Sequence, residues 1–188
     1  MIAVMKETKE KLHPLKYNLW VGLASIVMMF AAFSSAFIVK RSQGNWISFD
    51  LPLIFWYSTG VIILSSVTIM LSKKAFQNRQ MGAYKNWLIT TIVLGVLFVA
   101  LQYIGFTELW ARGITLTRNV AFSFLYVIVG LHALHIVGGI IAMCFVLAKA
   151  YSKKRKVYTS VPIDLMSTYW HFVDFLWIYL LIFLVMVK

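Results

Sequence analysis

The sequence predicts an all-α integral membrane protein, a bundle of five transmembrane helices. Of its 188 residues, 61% are hydrophobic and only 13% are charged, and the mean hydropathy is +0.82. Such values are typical of membrane proteins rather than of soluble domains. Five long apolar runs lack the period-2 alternation of a membrane barrel. Because lipid offers no partner to unpaired backbone groups, each run is expected to be a helix.

The five predicted spans match or exceed the ~20 residues that cross a bilayer core. In order they are residues 19–39, 51–71, 87–106, 120–147 and 165–187. The first follows a polar, basic segment and is interpreted as a retained span, because no clear small-residue cleavage site follows it. The fourth would form a helix of about 42 Å and is expected to tilt or protrude. Without internal repeats or linkers, residues 1–188 form a single predicted domain.

Basic residues predict the orientation. The N-terminal segment and the second and fourth loops carry 13 Lys and Arg residues, whereas the other side carries 5. The N-terminus is therefore expected inside and the C-terminus outside. The formal charge of +12 is spread over short loops, so nucleic acid is not an expected partner, and residues 153–156 are expected to meet anionic lipid headgroups. Tryptophans lie near the predicted span ends, as in an aromatic belt: Trp20, Trp46, Trp56, Trp87 and Trp110.

The fifth span carries the polar residue that most needs explanation. Asp174 is the only carboxylate within any of the apolar runs, and His171 precedes it by one turn on the same helix face. A carboxylate in hydrocarbon costs at least about 2.5 kcal/mol. We expect Asp174 to be paired with His135 or His171; a proton relay is the alternative.

The fourth span combines two histidines with small residues. His132 and His135 are three residues apart, and Gly138, Gly139 and Ala142 follow them. The spacing of Gly138 and Ala142 is the one that lets helices approach closely. We therefore expect a helix-packing face here, with the histidines forming hydrogen bonds between helices.

No complete catalytic or metal-binding constellation is visible in the sequence. Cys144 is the only cysteine, which excludes an intrachain disulfide and a cysteine-based metal cluster. A metal held by the two histidines of the fourth span, or a haem with His171 as the opposing ligand, is an alternative interpretation with few donors. Gln102, in the third span, is expected to form a hydrogen bond across helices.

Two segments resemble subunit III of the haem–copper terminal oxidases. Residues 169–174, YWHFVD, are very close to that family's tryptophan–histidine–aspartate signature, in which Trp170 and Trp177 are expected to pack between helices. Residues 130–136, GLHALHI, are similar to its glycine–phenylalanine–histidine–glycine–leucine–histidine segment, with leucine and alanine at the second and fourth positions. The resemblance covers all five spans and implies the short form of the family, which lacks the first two of seven helices.

Two family carboxylates are missing from this chain. Gln102 matches a family glutamine, but Gly105 stands where a glutamate usually follows it by three residues. Ile26 stands in place of a second buried glutamate, in the first span. Any role of those carboxylates in proton handling or lipid contact is not carried over.

The resemblance implies an accessory subunit that is not catalytic by itself and holds no cofactor of its own. It would pack beside subunit I in a complex with subunit II, bind phospholipid, and support proton uptake and turnover stability. Haem and copper would lie in the partner subunits. The expected location is a bacterial cytoplasmic membrane. Membership of a larger respiratory supercomplex is a further option. The electron donor, cytochrome c or a quinol, is left open.

Two other function classes are weighed against the accessory subunit. One is a haem-binding membrane cytochrome. The other is a proton-coupled transporter, which would be expected to show a broken helix or repeat symmetry; the sequence shows neither.

Overall fold

A computed structural model describes residues 14–42, 51–115, 119–151 and 160–187. In these ranges the chain forms five α-helices and no strand: α1 Pro14–Arg41, α2 Ile54–Gln77, α3 Met81–Ala111, α4 Val120–Tyr151 and α5 Val161–Val187. All five are long and apolar enough to cross a membrane, which confirms the predicted architecture. The orientation stays a prediction, and Trp46 and the basic residues 153–156 lie outside the described residues.

The helices extend past the predicted apolar spans, because hydropathy marks the hydrocarbon core whereas backbone hydrogen bonding continues to the next cap. α2 runs six residues beyond residue 71, and α3 begins six residues before residue 87. At the turn between them, Arg79 adopts a left-handed φ of 57°. The Arg79 amide donates to the Phe76 carbonyl, and the Gln80 amide donates to the Ala75 carbonyl. These two hydrogen bonds define a Schellman motif at the C-terminus of α2.

The bundle is organised around α4 and α5. The antiparallel helices α2 and α3 pack side by side, α2 also against α5 and α3 also against α4. α1 packs against α4 and α5 and, in the described part of the chain, makes no contact with α2 or α3. The core lies mainly among α2 to α5, and α1 adds the buried Phe30 and Phe37 to it. The largest fully buried side chains of the core are Trp170 and Trp177.

Candidate functional site

Trp170 lies in a slot between glycines of two neighbouring helices. Its side chain is fully buried. A Cβ atom on Gly95 of α3 would lie 2.9 Å from Trp170 Cη2, and one on Gly139 of α4 would lie 3.0 Å from Trp170 Cζ3. On the α2 side, the indole Nε1 donates to Ser65 Oγ at 2.9 Å. One side chain of α5 thus joins three helices, and the slot requires glycine at 95 and 139.

Only one of the two predicted packing glycines of α4 faces α5. A Cβ atom on Gly138 would meet nothing within 4 Å, and Gly138 is exposed whereas Ala142 is half-buried. The prediction for Gly138 is therefore wrong within this chain. Consecutive helical residues differ by about 100° around the axis, so only Gly139 can point at Trp170. Gly95 was not predicted, although a glycine in the middle of a long apolar helix indicates close packing.

α2 presents hydroxyl groups to its neighbours along its first half. Gln102 Nε2 donates to Ser58 Oγ at 2.9 Å, so the predicted cross-helix bond of Gln102 is present. Trp177 Nε1 donates to Thr59 Oγ1 at 2.9 Å. Both hydroxyls donate their own protons to the Phe55 carbonyl of α2. Each hydroxyl therefore serves its own helix as donor and a second helix as acceptor.

The same arrangement continues along the other half of α2. Thr68 Oγ1 lies 2.8 Å from Thr91 Oγ1 of α3, and Ser72 Oγ donates to the Tyr84 carbonyl at 3.2 Å. These contacts were not predicted from the sequence. The signal was the density of serine and threonine within one apolar helix, at residues 58, 59, 65, 66, 68 and 72.

His132 is enclosed by aromatic rings. It is fully buried, and it stacks on Trp177 with ring centroids 5.2 Å apart and planes inclined by 28°. The edges of Phe98 and Phe30 approach it at centroid distances of 6.0 and 6.5 Å. Neither imidazole nitrogen has a hydrogen-bond partner among the described residues. The predicted hydrogen bond between helices is thus not made, and His132 contributes as a packed ring.

The other two predicted histidines have partners of their own. His135 Nδ1 lies 2.7 Å from the Leu131 carbonyl of its own helix, so its expected hydrogen bond between helices is not made by the ring. His171 Nδ1 lies 2.5 Å from Ser66 Oγ of α2. The described ranges contain no group of three or more His, Cys, Asp or Glu residues that could hold a metal ion.

Asp174 lacks the partner predicted for it. It is only 4% exposed, and neither carboxyl oxygen forms a hydrogen bond within the described part of the chain. The predicted pair with His135 or His171 is therefore wrong. The Ser66 hydroxyl of α2, which contacts His171 one turn earlier in α5, forms no hydrogen bond with the carboxyl.

The ion pairs of the described residues lie near the helix ends. Lys73 Nζ is 2.9 Å from Asp164 Oδ1, which joins the end of α2 to the start of α5. Arg112 pairs with Glu108 one turn earlier in the chain. Four tryptophans near helix ends are exposed, as an aromatic belt requires: Trp20, Trp56, Trp87 and Trp110.

The positions of the two missing family glutamates are occupied by apolar packing. A Cβ atom on Gly105 would lie 2.8 Å from Ile54 Cγ2 and 3.1 Å from Phe55 Cζ. The start of α2 thus closes this position, and a glutamate side chain has no room there. Ile26 is partly buried and packs against the apolar core.

Comparison with known proteins finds relatives over nearly the whole chain. Residues 6–187 match the family model of cytochrome c oxidase subunit III. The probable cytochrome c oxidase subunit 3 of Nocardia farcinica is 29% identical over 168 residues, which cover 84% of this chain and 80% of the relative. The Mycobacterium leprae protein of the same name is 32% identical over 162 residues, with the same coverage. The cytochrome bo(3) ubiquinol oxidase subunit 3 of Pseudomonas aeruginosa is 25% identical over 167 residues, which cover 86% and 79%. The chain therefore belongs to the cytochrome c oxidase subunit III family.

Proposed function

We propose that this chain is the accessory, non-redox subunit of a haem–copper oxidase in a bacterial cytoplasmic membrane. It packs beside subunit I, binds phospholipid, and supports proton uptake and stability during turnover. Haem, copper and the oxygen-reducing reaction belong to the partner subunits. The family match over residues 6–187 carries the proposal.

The use of polar side chains inside the bundle supports a structural role. Trp170, Trp177 and Gln102 all donate to hydroxyls of α2. These bonds hold neighbouring helices together and leave the donors engaged. A bundle stabilised in this way suits a subunit that supports its neighbour.

The histidines give no support to the alternative of a haem-binding cytochrome. His132 is enclosed by Phe30, Phe98 and Trp177. A haem ligand needs open space beside a ring nitrogen, and both nitrogens of His132 are buried among these rings. His171 Nδ1 is engaged with Ser66 of α2.

The outer surface suits both apolar partner helices and lipid tails. Large exposed hydrophobic side chains occur on every helix, including Met28, Leu64, Val93, Phe145 and Phe175. The lipid-facing and partner-facing parts of a membrane subunit are both apolar, because hydrocarbon surrounds it. The bundle therefore meets the requirement for lateral packing in a membrane complex.

We place the proposed phospholipid headgroup at the turn between α2 and α3. A cavity of about 490 Å³ opens there, lined by Phe76, Gln77, Arg79, Met81 and Ser160. A guanidinium group can bind phosphate oxygens in a bidentate manner, while the two apolar side chains can contact an acyl chain. Replacing Arg79 by glutamine should lower the anionic phospholipid retained by the purified chain, as counted by native mass spectrometry.

Arg112 provides the matched control for the lipid experiment. It already pairs with Glu108, so Arg112→Gln should leave lipid retention unchanged. Equal retention by the Arg79→Gln variant and the unmodified chain would remove the lipid site from this turn.

Copurification tests the proposed function. A tagged chain extracted gently from membranes should bring down subunits I and II together with haem absorbance and oxygen reductase activity. After separation from them, it should carry no stoichiometric haem or copper. Recovery of the chain alone from respiring membranes, or one haem per isolated chain, would refute the proposal.

The electron donor can be determined on the same complex. Relatives of this chain are named as cytochrome c oxidase subunits and as quinol oxidase subunits. Oxygen uptake with reduced cytochrome c or with a quinol as the sole donor separates the two. Subunit II of the complex, rather than this chain, is expected to decide the result.

A further inference from the structure

Asp174 differs from the other described carboxyl groups in having no counter-charge. Asp164 pairs with Lys73, and Glu108 pairs with Arg112. Asp174 takes part in no ion pair, and neither of its oxygens accepts a hydrogen bond in the described ranges. A buried carboxyl group in this state needs a physical explanation.

The position of Asp174 makes an uncompensated charge costly. It lies ten residues beyond Asp164, which corresponds to about 15 Å of helix. It is therefore near the middle of α5, which runs from Val161 to Val187. An ionised group at such depth bears a desolvation cost that binding a proton removes.

Other charged or titratable groups at this depth are few. α1 carries no charged residue from residue 17 to 39, and α3 carries none from 86 to 107. α4 contributes only His132 and His135 to the middle of the bundle, and the nearest cation of α2, Lys73, is paired with Asp164. The neighbouring helices therefore bring Asp174 no fixed positive charge.

We propose that Asp174, Ser66 and His171 form a proton-binding site inside the membrane. Ser66 Oγ lies 2.5 Å from His171 Nδ1, and Asp174 follows His171 by one turn on the same face of α5. In the proton-loaded state the Asp174 O–H donates to Ser66 Oγ, and the Ser66 O–H donates to Nδ1 of neutral His171. This state requires the Asp174 side chain to turn toward Ser66, because neither carboxyl oxygen forms a hydrogen bond in the described structure.

The site can also exchange its proton. When Asp174 gives its proton to Ser66 Oγ, Ser66 gives its own hydroxyl proton to His171 Nδ1. A carboxylate and an imidazolium result, and Ser66 is unchanged, so no proton is gained or lost. His171 is half-buried and precedes Asp174 in the chain, on the side of the Lys73–Asp164 pair. Protons therefore enter and leave the site at His171. The proposed exchange does not depend on whether the chain is part of an oxidase.

Infrared spectroscopy of the full chain in lipid nanodiscs tests the site. Labelling aspartate with carbon-13 at its side-chain carboxyl restricts the shifted bands to three residues, Asp50, Asp164 and Asp174. At neutral pH we expect a protonated-carboxyl stretch in the unmodified chain. It should disappear in Asp174→Asn and persist in the control Asp164→Asn. In Ser66→Ala it should persist at a higher frequency, because the hydrogen-bond acceptor is lost.

The unmodified chain decides the protonation state by itself, so the test does not depend on the folding of any variant. Absence of the protonated band at neutral pH would overturn the proposal. Its persistence in Asp174→Asn, with helix content checked by circular dichroism, would do the same. An unmoved band in Ser66→Ala would overturn the link to Ser66.

Discussion

Adjacent glycines of α4 allow a matched test of the Trp170 slot. A Cβ atom on Gly139 would lie 2.9 Å from Tyr169 Cε1 and 3.0 Å from Trp170 Cζ3, whereas ordinary contacts begin near 3.4 Å. The same atom on Gly138 would meet nothing within 4 Å. Gly139→Ala should therefore destabilise the bundle, and Gly138→Ala should not.

The magnitude follows from the overlap of about half an ångström. Neither ring can move freely, since Trp170 is fully buried and the Tyr169 hydroxyl donates to the His135 carbonyl at 2.9 Å. Forcing a methyl group into such packing costs about 1–3 kcal/mol. Alanine also favours a helix over glycine by up to about 1 kcal/mol, but this gain is common to both variants. Their difference in free energy of unfolding therefore measures the steric cost alone.

This difference in free energy of unfolding can be measured by unfolding the full chain in mixed micelles with increasing concentrations of a denaturing detergent. We expect Gly139→Ala to be less stable than Gly138→Ala by about 1–3 kcal/mol. Equal stability of the two variants, or a less stable Gly138→Ala, would show that the slot does not hold the bundle together.

Three further predictions concern single polar side chains and the orientation. Ser65→Ala removes the acceptor of the Trp170 indole and should lower the free energy of unfolding by about 0.6–1.7 kcal/mol, as measured for hydrogen bonds between membrane helices. The control is Ser25→Ala, which should leave that free energy unchanged in the same assay, because the Ser25 hydroxyl is exposed and donates to its own helix. Asp174→Asn preserves a neutral polar group and should remain in the complex after detergent extraction with an unchanged proton-to-electron ratio. An assembled Asn variant that no longer pumps would instead place the Asp174 proton on the pumping path of the oxidase. In a Cys144→Ser background, an impermeant thiol reagent applied to intact cells should label a cysteine at Ser48 and not one at Lys154, and the reverse pattern would overturn the predicted orientation.

The five helices could be predicted because lipid imposes a simple rule. Each span must satisfy its own backbone and must be apolar over the hydrocarbon core, so composition alone marks it. The helix ends were predicted less accurately than the helices themselves. α2 continues through Lys73 and Lys74 to Gln77, because charged residues at the interface do not interrupt backbone hydrogen bonding.

The partners of the polar residues depended on rotation and register that one sequence does not reveal. Gln102 was expected to bond across helices and does so with Ser58. Asp174 was expected to pair with a histidine because of the turn spacing to His171, yet the hydrogen-bond partner of that ring lies on α2, at Ser66. The hydrogen-bond partner of a polar side chain is therefore set by the helix that faces it rather than by the spacing of residues within its own helix.

The central claim is that this chain supports an oxidase without taking part in electron transfer. It is tested most directly by following oxygen uptake by the complex with and without this subunit over many turnovers. We expect a near-normal initial rate without the chain, followed by faster loss of activity, and recovery of durability when the chain is added back. A zero initial rate in a depleted complex that retains its full haem and copper content would contradict the account.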